Sequence, residues 1–282
     1  NLQLAGVQGG ITIEARPGEA YGAIYGISHE RDAEGRPIVY DNVLYSRGRG
    51  GGVRYLRGEK AVLGNINPDW FGGLNNSFRY KNWTASALID VSWGGDFFSL
   101  DTYYGYATGI YDLTAGLNDA GNPIRNSIYD ADYQVHGGGG AGGLRFTGVS
   151  YWDGSVDADG NNDYSNNTVD VDANGDPLYG DMSFYSNVLG YSRGVAEYHV
   201  WDASYVKLRE VALQYSVPAD LLGQTGIKGL DVSLVGRNLA ILWKANPYSD
   251  PEAGLSAGNV QGNQSGAYPA VREVGVKVNL KF

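Results

Sequence analysis

Trp83-Thr84-Ala85-Ser86-Ala87-Leu88-Ile89-Asp90-Val91-Ser92-Trp93 is the stretch on which the reading of this sequence turns. Successive side chains in a strand point to opposite faces. Trp83, Ala85, Ala87, Ile89, Val91 and Trp93 therefore share one apolar face, with Thr84, Ser86, Asp90 and Ser92 opposite and Leu88 the one exception. Ten steps at about 3.3 Å give about 33 Å of strand, which a tilt of about 40° lowers to about 25 Å, the height of the apolar band of a membrane β-barrel. Tryptophan at both ends falls where the two interfacial aromatic girdles belong. A water-soluble sheet has no reason to place tryptophans at that separation.

Working outward, Leu74, Asn76, Phe78 and Tyr80 share a face before the tight turn Lys81-Asn82, which predicts a hairpin. At the other end of the chain, Val274, Val276, Val278, Leu280 and Phe282 alternate with Glu273, Gly275, Lys277, Asn279 and Lys281. Val211, Leu213, Tyr215 and Val217 form a further apolar stripe that Pro218 ends, and Leu230, Val232 and Leu234 form another. With a short strand over residues 19–26, six wall strands are expected. Long connections alternate with short ones, as in an outer-membrane barrel with long external loops and short periplasmic turns. The fold class is all-β: an antiparallel transmembrane β-barrel with long extracellular loops.

Composition agrees. The 282 residues include 43 glycines, 22 tyrosines and six tryptophans, and Gly-rich turns separate short alternating runs. No window approaches the ~20 apolar residues of a membrane-spanning helix, so a span must be made of strands. A net charge of −10 argues against a nucleic-acid partner, because phosphate contacts need a basic surface. The absence of cysteine excludes disulfides and thiol-ligated metal. The smallest bacterial barrels have eight strands, and an open sheet edge in hydrocarbon leaves unpaired backbone groups costing several kcal/mol each. Six strands cannot stand alone, so residues 1–282 read as part of a larger wall.

Residues 29–69 and 94–201 read as long loops. Arg47-Gly48-Arg49-Gly50-Gly51-Gly52 has the form of an RGG segment, which in an acidic chain is better explained as a solvated loop. Residues 137–143 match GxGxxG without a following helix pattern, and residues 190–194 match GxSxG without the strand and helix of a nucleophile elbow. His29, His136 and His199 lack metal-ligand spacing and read as solvated or hydrogen-bonded loop residues. No residue set points to covalent chemistry, so no enzyme is expected. Asp170, Asp172, Asn174 and Asp181 stand at positions 1, 3, 5 and 12 of a calcium-type loop, with Gly175 at the sharp-turn position and Asp176 beside it. That makes a candidate extracellular Ca2+ site. The competing reading is an Asp/Asn/Gly turn in a polar loop.

Several segments together carry a family resemblance. Ala203-Ser204-Tyr205-Val206-Lys207-Leu208-Arg209-Glu210-Val211, Gly236-Arg237-Asn238-Leu239-Ala240, Asp250-Pro251-Glu252 and Leu280-Lys281-Phe282 resemble the C-terminal portion of the SusC/RagA family of TonB-dependent outer-membrane importers of Bacteroidetes. Pro17-Gly18-Glu19-Ala20-Tyr21-Gly22-Ala23-Ile24-Tyr25-Gly26 and Gly64-Asn65-Ile66-Asn67-Pro68 resemble earlier landmarks of that family, in family order. The loop before Gly64 departs from it, being Arg-rich where relatives often carry an Asp/Asn/Gly turn. The resemblance implies a longer protein in the cell outer membrane: an N-terminal extension, a TonB-contacting segment, a plug, and a 22-stranded barrel of which residues 1–282 are the C-terminal part.

It further implies nutrient uptake of a glycan or peptide oligomer and a SusD-like lipoprotein partner. Contact with the TonB complex runs through the N-terminal part, and transporter–lipoprotein pairs assemble as a dimer. Val274, Val276, Val278, Leu280 and Phe282 are, on this resemblance, the membrane-insertion signal read by the assembly machinery. The alternative is a non-transporting structural or adhesive outer-membrane barrel. Tyr103, Tyr104, Tyr106, Tyr111, Tyr151 and Trp152 crowd the long connection after Trp93. Their rings either bind ligand, by stacking on sugar faces or covering a peptide, or pack the loops together.

Overall fold

The computed structural model describes residues 1–40, 54–126, 128, 142–151, 158, 168–171, 175, 177–182, 188–190, 194–223, 226–254, 261–268 and 270–282. The chain weaves between two units. The first comprises Asn1–Asn65, Phe97–Val200 and Gly254–Gly266; the second comprises Ile66–Asp96, Trp201–Ala253 and Ala267–Phe282.

The first unit is built around a four-stranded antiparallel sheet of β1 (Leu2–Val7), β2 (Ile11–Ala15), β3 (Ala23–His29) and β4 (Arg57–Asn65), paired in that order. Residues 29–69 are thus not all loop. Arg57–Asn65 forms a full strand whose two glycines and broken alternation hide it from periodicity. Ile11, Ile13, Ile24, Phe97, Phe98, Tyr106, Leu178 and Leu189 are buried, so this unit has an apolar core of its own. The strand expected over residues 19–26 lies here as β3, in a sheet separate from the five-stranded one. Residues 94–201 also hold more than loop: helix α1 spans Leu100–Thr108. Ser99 caps it, its hydroxyl accepting from Thr102 N at 3.1 Å, and Gly109 at φ 78° ends it in the left-handed conformation that glycine adopts freely. Two threonines, three aromatics and a glycine give this helix poor intrinsic propensity. Burial of Thr102, Tyr103 and Tyr106 holds it in place.

The second unit is one five-stranded antiparallel sheet: β5 (Trp70–Tyr80), β6 (Trp83–Trp93), β7 (Tyr205–Val217), β8 (Gly229–Lys244) and β9 (Glu273–Lys281), ordered β9-β8-β7-β6-β5. Directly paired residues share a face, so the register can be read in rows. Val276, Leu234, Leu213, Ala85 and Phe78 make one row across all five strands. Val278, Val232, Tyr215, Trp83 and Tyr80 make the next, and Val274, Gly236, Val211, Ala87 and Asn76 the one on the other side. This face is exposed, with Leu234, Phe78 and Val276 each more than half accessible. A soluble sheet would bury it; a continuous apolar face of this extent marks contact with a membrane or partner. The connections at residues 81–82 and 218–228 leave one end of the sheet, and those at 94–204 and 245–272 leave the other.

Candidate functional site

The polar face of the sheet carries a charged cluster near the end from which the long connections leave. Its layout follows from a bulge. Val206 and Leu208 pair with Val91 and Ile89, but the next paired residue of β7 is Glu210, opposite Leu88, so Arg209 is the extra residue. Across the other edge, Leu208 pairs with Ala240 and Glu210 with Arg237, leaving Asn238 and Leu239 unmatched. Asn238 takes φ 50°, which asparagine tolerates better than most residues. Bulges re-aim side chains and sit beside functional features. Here the apolar parity of β7 switches from even (Val206, Leu208) to odd (Val211, Leu213), and that switch is the sequence signal that could have disclosed the bulge.

Lys207 is buried, and its Nζ donates at 2.5 Å to both Asp250 Oδ1 and Glu252 Oε2. Arg209 donates through Nε to Asp90 Oδ2 at 2.8 Å and through Nη1 to Glu252 Oε2 at 2.8 Å and Asn238 Oδ1 at 3.2 Å. Its Nη2 reaches Glu252 Oε1 and donates to the Tyr205 hydroxyl at 3.2 Å. The guanidinium fork thus grips one carboxylate with two nitrogens, the geometry for which arginine is suited. Two cations face three carboxylates. Burial tends to raise the Asp250 and Glu252 carboxyls, but the hydrogen bonds from Lys207 and Arg209 outweigh it and hold both below their ordinary values. These residues fall in the segments singled out in the sequence, but periodicity gave no sign that they meet.

Aromatic residues mark both ends of the apolar face. Trp93 and Trp243 stack with ring centroids 5.4 Å apart, and Trp70 pairs with Trp93 in the register. At the opposite end Trp83 lies 4.8 Å from Tyr215 and pairs with Tyr80. Trp83 and Trp93 thus sit in two separate aromatic rows. A double-mutant cycle on Trp93→Ala and Trp243→Ala, read by denaturant titration of the folded protein in micelles, should return a coupling of about 0.5–1.5 kcal/mol. Additive losses would mean that the stacked rings contribute nothing beyond their separate burial.

The remaining candidate residues are dispersed. Tyr103 and Tyr106 are buried, with ring centroids 5.3 and 5.7 Å from His199. Their environment is that of core side chains. Tyr104 is exposed and donates its hydroxyl to Gln8 Oε1 at 2.9 Å. Tyr151 ends the short strand Val149–Tyr151, and Trp152 lies outside the described residues. His199 is not solvated: it is fully buried, with Nε2 2.9 Å from Leu189 O and Nδ1 3.1 Å from Thr102 Oγ1. Burial lowers its pKa to about 4, so the ring is neutral at pH 7. Of the calcium-type loop, Asp172, Asn174 and Asp176 lie outside the described residues, as does the RGG segment. Asp170 Oδ1 accepts from Gly148 N at 2.7 Å, and Asp181 is buried. Among the described residues no three His, Asp or Glu side chains are grouped to hold a metal ion. Val274, Val276, Val278, Leu280 and Phe282 are exposed at the edge of the apolar face.

No family model matches the chain. TonB-dependent receptor P3 of Formosa agariphila is 23% identical across 95% of this chain and 23% of its own length. TonB-dependent receptor P26 of the same organism is 36% identical over 89 residues, which are 30% of this chain and 9% of that protein. The RagAB peptide importer in its open-open state superposes on 100% of this chain and 24% of its own, with TM-score 0.50 and 16% identity. The chain is SusC/RagA-like. It spans about a quarter of the length of P3, and its fold is that of a stretch of the RagAB barrel. The relatives are receptors and transporters, not enzymes.

Proposed function

We propose that this chain supplies part of the barrel wall and the external loops of an outer-membrane, TonB-dependent importer of oligomeric nutrients, peptide or glycan, working with a SusD-like surface lipoprotein. The observation that carries the reading is the five-strand sheet whose exposed apolar face is bounded by two aromatic rows. Lipid is the solvent that such a face requires, and closed barrels are the only sheets that lipid tolerates. The remaining strands, a plug and the TonB-contacting segment belong to the rest of the polypeptide. The names of the relatives, TonB-dependent receptors and the RagAB peptide importer, support energised import.

Deleting the gene in its host should abolish accumulation of labelled oligopeptides or oligosaccharides supplied at limiting concentration, and an uncoupler should abolish it in the parent strain. A tagged full-length protein should co-purify with a lipoprotein from detergent-solubilised outer membranes. Uptake that survives both the deletion and the uncoupler would overturn the proposal in favour of a structural barrel.

A further inference from the structure

The cluster described above joins two parts of the chain that the strand ladder does not. Lys207 and Arg209 belong to β7, whereas Asp250 and Glu252 belong to the segment that leaves the end of β8 and runs on towards β9. We propose that Lys207 and Arg209 form a charge latch that clips the strap of residues 245–254 onto the polar face of the wall, and that the strap lifts off when Asp250 and Glu252 lose their charge.

Three observations point the same way. First, charged hydrogen bonds hold the strap to the polar face, with neutral bonds among Asn246, Tyr248 and Ser249 inside it. Besides the contacts of Lys207 and Arg209, Lys244 Nζ donates to Pro247 O at 3.2 Å and Ser249 O at 2.8 Å, and Ala245 N donates to Ser204 O at 3.1 Å. Second, Asp250 organises the strap from within. Its Oδ1 accepts from Glu252 N at 3.0 Å and its Oδ2 from Ala270 N at 3.4 Å, so one carboxylate ties Lys207, the strap backbone and the segment that enters β9. Third, Arg209 retains Asp90 and Tyr205 when Glu252 leaves, so opening the latch does not strip the guanidinium of partners. Lys207 retains the ring of Tyr205, 4.9 Å from its Nζ.

The groups facing the two carboxyls are Lys207, Arg209 and Tyr205 from β7, Asp90 from β6, Lys244 and Asn238 from β8, and the Ala270 amide. Asp250 and Glu252 are both held below ordinary carboxyl values. The latch is therefore complete above the unfolded-chain carboxyl pKa of about 4 and is lost as pH falls through the lowered folded values. At neutral pH it is closed.

Hydrogen exchange on the folded full-length protein in detergent tests this. Asp250→Asn combined with Glu252→Gln keeps the volumes and removes the charges. Amides of residues 245–254 should then exchange at least tenfold faster, with β7 and β8 unchanged and heat-modifiable migration retained. The unmodified protein at pH 3, corrected for intrinsic exchange rates, should show the same local acceleration relative to pH 7. This comparison decides the matter if the double variant fails to fold. Equal protection of the strap in both proteins, or at both pH values when only the unmodified protein folds, would overturn the latch.

Discussion

Ala87→Arg is expected to destabilise the folded full-length protein by about 2–4 kcal/mol in lipid, because it places a guanidinium near the middle of the apolar face. Ala87 lies in the row Val274, Gly236, Val211, Ala87, Asn76, midway between the aromatic rows at Trp83 and Trp93. Ser86→Arg, one residue away, points to the polar face and should cost much less, since that side offers water and carboxylates. Reversible unfolding by urea in lipid vesicles measures both. Equal costs, or a greater cost at Ser86, would mean that the apolar stripe faces a protein core.

Tyr106→Ala should cost the first unit about 3–5 kcal/mol, the range for removing a large buried ring. Tyr106 is fully buried and packs edge-on to Tyr111 and Tyr198 as well as beside His199, so little of the resulting cavity can collapse. Tyr104→Ala should stay within about 0.5 kcal/mol, the usual range at an exposed site. Near-UV circular dichroism melts of the folded protein distinguish them. A small loss at Tyr106 would show that the unit tolerates the void. A drop in uptake with Tyr104→Ala, with stability unchanged, would mark that ring as a ligand contact.

How legible was this molecule in its sequence? The wall strands could be read because lipid imposes a strict rule: each strand must be apolar on every second residue over the whole band. β6 and β9 obey it without interruption, and β7 obeys it on either side of one bulge. The first unit escaped because no such rule governs it. The unit is assembled from three separate stretches, so no single window shows a period. α1 is rich in aromatic and β-branched residues, and its only local marks are Ser99 and Gly109 at the ends. β4 carries Gly58 and Gly64 and alternates poorly. Lys207, Arg209, Asp250 and Glu252 were conspicuous as motif residues, but their meeting depends on a bulge and on the path of residues 245–254. Pairing across more than forty positions leaves no trace in local pattern.

The interleaving of the two units has a consequence for how such a protein is made. Gln264 and Asn263 pair in parallel with Ser99 and Phe98, and Asp101 Oδ1 accepts from Gly266 N at 2.7 Å. The first unit therefore draws part of its framework from residues near the far end of the sequence. Between those contributions lie β7 and β8, which belong to the second unit. A chain emerging N-terminus first cannot complete the unit begun by β1 to β4 until two strands of the second unit have been made and the chain has come back. Contacts this distant in sequence form slowly and leave apolar surface uncovered meanwhile. The first unit thus stays unfinished, with part of its apolar surface uncovered, until residues 263–266 have been added.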